Sequence, residues 1–152
     1  MRLTTLILSI TLLTSCQSFR DYFYREGIRP FTSDGCSMSP NGIDDEPYAF
    51  LECCVKHDYA YWQGGTTEQK EQADQALRTC IASHSTETIG RIYYRAVSLG
   101  GGPQFSTQFR WGYGWEHNRG YKPLTSQELY FVENESRNIR WDLIYKSLHK
   151  PD

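Results

Sequence analysis

Residues 50–65 read FLECCVKHDYAYWQGG, and the reading of this stretch decides the fold. Phe50, Cys54, His57, Asp58 and Tyr61 recur at offsets of 4, 7, 8 and 11, which is one face of a helix with about 3.6 residues per turn. That face is apolar at one end and ionisable in its middle. His57 and Asp58 are neighbours, so their side chains leave the helix about 100° apart and approach two different atoms of one bound group. Such a pair suits a base beside a bound cation. Gly64-Gly65 then supplies the stop, because glycine accepts the left-handed conformation that ends helices.

Working outward, the segment before it, Thr32 to Pro47, is dense in turn formers (TSDGCSMSPNG) and reads as a loop carrying Asp34 and Cys36. After it, Thr66 with Gln69 forms a capping box and opens a second helix. Its stripe is Ala73, Ala76, Leu77, Cys80 and Ile81, with Asp74 on the rim. Ile89, Ile92, Tyr93, Ala96 and Val97 repeat the spacing, so a third helix is expected before Gly100-Gly101-Gly102-Pro103. Residues 100–123 look irregular. The aromatics of Phe109 to Trp115 (FRWGYGW) either line a lipid-contacting surface or lid the core, and the core is the expectation for large aromatics. Thr125 and Glu128 form another capping box ahead of one or two C-terminal helices through Leu129, Val132, Ile139, Leu143, Ile144 and Leu148. No run of alternating strands occurs, so a mostly α domain over residues 32–150 is expected.

The leader has one Arg, then the apolar run Leu6 to Leu13, then Leu13-Thr14-Ser15-Cys16. This reads as a bacterial lipoprotein signal over residues 1–15, with Cys16 the acylated first residue of the mature protein. An ordinary cleaved signal with a chance cysteine is the alternative. The absence of Asp after Cys16 resembles lipoproteins sent to the outer membrane, which implies a lipid-anchored protein facing the periplasm. Residues 16–31, which alternate Arg with aromatics, then form a tether or a partly packed first helix. Removing the signal takes away Arg2 and no acid, so the net charge of −2 becomes more acidic and a nucleic-acid partner is not expected. Nothing in the sequence points to a protein partner. Cys36, Cys53, Cys54 and Cys80 remain, and four thiols in an exported chain read as two disulfides. Zinc is the alternative; the oxidising compartment argues against it first, and Cys53 and Cys54, which point about 100° apart on a helix, do not easily share a metal with His57.

Asp34-Gly35-Cys36 in a loop and Cys53-Cys54-Val55-Lys56-His57-Asp58 on a helix together resemble the secreted phospholipase A2 superfamily. That family carries a CCxxHDxCY helix. Cys53, Cys54, His57, Asp58 and Tyr61 match it, while Ala60 stands where the pattern has its third cysteine. On the second helix Asp74 and Cys80 match a Cys-Asp-x5-Cys pattern, and Ala73 replaces its first cysteine. Those two absent cysteines bond each other in the family, so one whole disulfide is missing. The resemblance covers roughly residues 32–82 and is closest in its loop to the bacterial and fungal branch.

The resemblance implies two disulfide-linked antiparallel helices, Cys36 paired with Cys54 and Cys53 with Cys80. It implies a calcium ion held by Asp58, the Asp34 carboxylate and the Gly35 carbonyl, oxygen ligands suiting a hard cation. It also implies hydrolysis of a fatty-acyl ester of glycerophospholipids by water, with a phospholipid membrane as partner. His57 acts as base, Asp74 holds the imidazole by its other nitrogen, and Tyr61 fixes Asp74. The alternative within the same fold is a non-catalytic calcium- or lipid-binding lipoprotein. No GxSxG elbow supports a serine esterase. His84, His117 and His149 are expected at the surface.

Overall fold

The computed structural model describes residues 27–117 and 119–149. The expected signal at 1–15, Cys16 and most of the expected tether lie outside the described residues. Among the described residues there are five helices and no strand, and only an isolated bridge joins Ile43 and Glu46. The helices are α1 (Leu51–Gln63), α2 (Thr67–Ser83), α3 (Glu87–Gly100), α4 (Ser126–Arg137) and α5 (Trp141–Leu148). None of them is long and apolar enough to cross a membrane.

Local signals set most boundaries. Thr66 and Thr125 form capping boxes with Gln69 and Glu128, and Thr86 accepts from the Ile89 amide at the start of α3. Helix α1 has no side-chain cap; instead the Phe50 amide donates to Asn41 O at 2.7 Å, so the loop before it holds its entry. At its other end Gly64 takes φ 68°, a conformation glycine adopts without a steric penalty.

Helix α1 is the centre of the molecule. Leu51, Cys53, Cys54, Val55, His57, Asp58, Tyr61 and Trp62 are all buried, so it meets protein on most of its circumference. On one side Cys53 bonds to Cys80, His57 meets Asp74, and Tyr61 meets Asp74 and Lys70. Rising numbers on α1 meet falling numbers on α2, so the two helices run antiparallel. Cys36 bonds to Cys54 across a separation of 18 residues and Cys53 to Cys80 across 27, the two pairings the resemblance implied. A loop of about these lengths, once cross-linked, stabilises the folded chain by about 3 kcal/mol through lost unfolded-state entropy.

Residues 110–115 lie in the core, as expected for their aromatics, and they also complete α1. Helix C-termini leave carbonyls without intrahelical partners. Here Tyr61 O accepts from the Gly112 amide at 2.6 Å, Trp62 O from the Gly114 amide at 3.1 Å, and Gln63 O from Trp115 Nε1 at 2.7 Å. The segment at the start of the described chain closes the same region: the Arg29 amide donates to Gly114 O, and Trp62 Nε1 donates to Arg29 O. Ile28 and Phe31, assigned to the tether from the sequence, are buried in this cluster with Trp62, Trp111, Tyr113 and Trp115.

Candidate functional site

The face of α1 that carries His57 and Asp58 opens on a cavity of about 580 Å³. Asp34, Gly35, His57, Asp58 and Tyr61 all line it, alongside apolar side chains that include Leu77, Tyr93, Val97 and Phe109. Five of the six residues expected to act on substrate or cation therefore share one space. The sixth, Asp74, sits behind them with 1% of its surface exposed.

Asp74 is the hub of a buried polar network. Its Oδ1 receives His57 Nε2 at 3.0 Å and the Tyr61 hydroxyl at 2.7 Å; its Oδ2 receives Lys70 Nζ at 2.7 Å and Ser98 Oγ at 3.3 Å. Burial alone would raise its pKa, but the hydrogen bonds from His57, Lys70 and Tyr61 hold it below the ordinary carboxylate value. For His57 burial is the largest influence and pushes the imidazole pKa down, with Asp74 pulling it up and Lys70 adding to the depression. The His57–Asp74 contact is thus a hydrogen bond from a neutral ring to a carboxylate. Because a carboxylate only accepts, the ring proton sits on Nε2, and Nδ1 carries a lone pair with no hydrogen-bond partner among the described residues. Burial first, then Asp74, raises the Tyr61 pKa, which keeps its hydroxyl protonated as a donor.

Asp58 lies one residue on and faces a different neighbourhood. Its Oδ2 accepts from Ser33 Oγ at 2.6 Å, and burial followed by the nearby Asp34 carboxylate lifts its pKa well above the ordinary value against the opposing Ser33 bond. Asp34 is exposed, with Oδ1 accepting from Ser37 Oγ at 2.6 Å. The loop between them is fixed by the Gly35 amide donating to Ser33 Oγ and the Cys36 amide to Asn41 Oδ1. A carboxylate pushed toward protonation chiefly by its burial, with a second carboxylate adding to the push, is a place where a cation would be stabilising. The donors available, Asp58, Asp34 and the Gly35 carbonyl, are all oxygen, which fits a hard divalent ion completed by water.

Lys70, Ser98 and Ser33 were not picked out from the sequence. Lys70 stands four residues before Asp74 on the same helix, a spacing that signals an ion pair but not a buried one. The serines reach across from other elements and left no local signal. His84, His117 and His149 are exposed. No family model, no curated protein and no solved structure matches the chain.

Proposed function

We propose that this protein hydrolyses a fatty-acyl ester of glycerophospholipids in a calcium-dependent reaction at the bacterial envelope, using a phospholipase A2-like arrangement of α1 and α2. The observation that carries the reading is the juxtaposition in one cavity of a neutral His57, oriented by Asp74, with the Asp34 and Asp58 carboxylates.

Water held at Nδ1 of His57 loses a proton to the ring as its oxygen attacks the ester carbonyl. Asp74 stabilises the imidazolium that forms and prevents the ring from turning. The proton then passes to the departing glycerol oxygen, leaving a free fatty acid and a lysophospholipid. Tyr61 and Lys70 keep Asp74 ionised and in register. Asp58, Asp34 and the Gly35 carbonyl would hold the calcium ion, which when bound would supply positive charge to offset the phosphate and the developing oxyanion. The apolar part of the cavity, Leu77, Tyr93, Val97 and Phe109, suits an acyl chain, and Met38 at its rim is fully exposed, as a lipid contact requires. Acylation at Cys16 would hold the domain on the membrane, facing the periplasm.

The test is fatty-acid release from glycerophospholipid vesicles across a calcium titration, with calorimetry of calcium binding beside it. Asp58→Asn should abolish both binding and release. Calcium binding by a wild-type chain that releases no fatty acid would replace this reading with a calcium- and lipid-binding lipoprotein. Neither binding nor release would remove both.

A further inference from the structure

We propose that Cys53, Cys80 and His84 form a redox-gated site for a borderline-soft divalent cation of the zinc type. In the oxidised chain the two sulfurs are a disulfide; opened by a dithiol reductant, they become two thiolates that bind the metal with the His84 imidazole. The ligand atoms of the three residues lie within 4.8 Å of one another. Cys80 and His84 are one helical turn apart at the end of α2, where His84 is the C-cap, and Cys53 comes across from α1 with 5.7 Å between the Cα atoms.

A tetrahedral zinc with bonds of about 2.0–2.3 Å sets its ligand atoms about 3.3–3.8 Å apart. The sulfurs need only part, and the ring only close in, by amounts that side-chain rotation supplies. The His84 side chain is exposed and its ring takes no hydrogen-bond partner among the described residues, so it is free to turn. A water completes the tetrahedron as fourth ligand. The second disulfide lacks these features: Cys36 and Cys54 are both buried, and among the described residues no third metal-binding side chain stands with them. Thiolate and imidazole select zinc-type ions, whereas the all-oxygen set at Asp34 and Asp58 selects calcium-type ions.

In the opening step a reductant thiolate attacks Sγ of Cys80, which is the more exposed sulfur, and Cys53 leaves as thiolate. The reductant's second thiolate then displaces Cys80. Two electrons have passed to the protein sulfurs and the reductant departs as a disulfide. Metal binding to the two thiols and a neutral imidazole releases two protons. The tie between α1 and α2 is kept in both states, covalently in one and through the metal in the other.

The test is titration of the full chain with cobalt(II), then zinc(II), after anaerobic reduction with a phosphine, read by visible absorption. One cobalt per reduced chain with thiolate-to-metal charge transfer and tetrahedral bands is expected, and none in the oxidised chain. His84→Ala should weaken binding at least tenfold, while the Cys36→Ala/Cys54→Ala double variant should keep the spectrum. If reduction unfolds the chain, metal should restore its helical circular dichroism. The proposal is overturned by a reduced chain that binds no metal or stays unfolded with it, by equal binding in the oxidised chain, by undiminished affinity in His84→Ala, or by loss of the spectrum in the double variant.

Discussion

Lys70 and Asp74 form an ion pair 2.7 Å long, one turn apart on α2, with side chains 6% and 1% exposed. The pair occupies one oxygen of Asp74 and leaves the other for His57 and Tyr61. Removing one partner of a buried pair leaves an uncompensated charge, which costs about 3–5 kcal/mol. Lys70→Met should therefore lower unfolding free energy in urea by about that amount, and the Lys70→Met/Asp74→Asn double variant by less than the sum of the two single changes. Additive losses would mean that the two side chains do not share one network.

Gly114 has no room for a side chain. A Cβ there would lie 2.6 Å from Trp62 O, Trp62 Cδ1 and Ile28 Cγ1. Gly114→Ala should push residues 110–115 off the end of α1 and cost about 1–3 kcal/mol, the usual range for overpacking. Thermal unfolding measures it, and an unchanged midpoint would show that the segment is not seated on α1.

Much of this architecture could be read in advance, for a definite physical reason. Capping boxes at Thr66 and Thr125, the glycine stop after α1 and the helical spacing of His57, Asp58 and Tyr61 are local, so chain order alone encodes them. The contribution of residues 110–115 was not local. Their amides and indoles meet carbonyls roughly fifty positions away, and Gly-rich aromatic sequence carries no mark of which carbonyls those are. Lys70 was hidden for a different reason: an acid four residues beyond a lysine ordinarily marks a solvated face, and only the packing of α3, with Val97 O accepting from Nζ at 3.2 Å, buries it. Ile28 and Phe31 joined the core because the Arg29 backbone is pinned between Gly114 and Trp62.

Glu128 ties α4 to the loop before it. Arg119 donates to both its carboxylate oxygens at 2.9 and 3.0 Å, and this, with the Thr125 amide, holds its pKa at about 2. A depressed carboxylate contributes stability that is full above the unfolded value near 4.5 and fades as pH falls through about 2. Arg119→Gln should cost about 1 kcal/mol at pH 7, discounted for partial exposure, and the difference from wild type should shrink toward zero near pH 2. Denaturation across pH reads it directly, and a pH-independent difference would assign the effect to packing.

Ala60 and Ala73 line one cavity of about 130 Å³ between α1 and α2, beside the Cys53 and Cys80 side chains and His57. Placing cysteines at both positions should close a second disulfide link between the helices, beside Cys53–Cys80, stabilising the chain by about 2–3 kcal/mol for a loop this short. Thiol counting and nonreducing peptide maps settle whether the bond forms. Two free thiols at 60 and 73 would mean that α1 and α2 do not face each other across these two positions.

The central claim is that the His57 ring, braced by Asp74, generates the nucleophile from water. Its most direct test is the rate of fatty-acid release from glycerophospholipid vesicles in saturating calcium by wild-type protein and by a folded His57→Gln variant. Release by the wild type is expected, with a loss of at least a hundredfold in the variant, the scale of general-base catalysis, about 10²–10⁴. Equal release by the two proteins would contradict the claim.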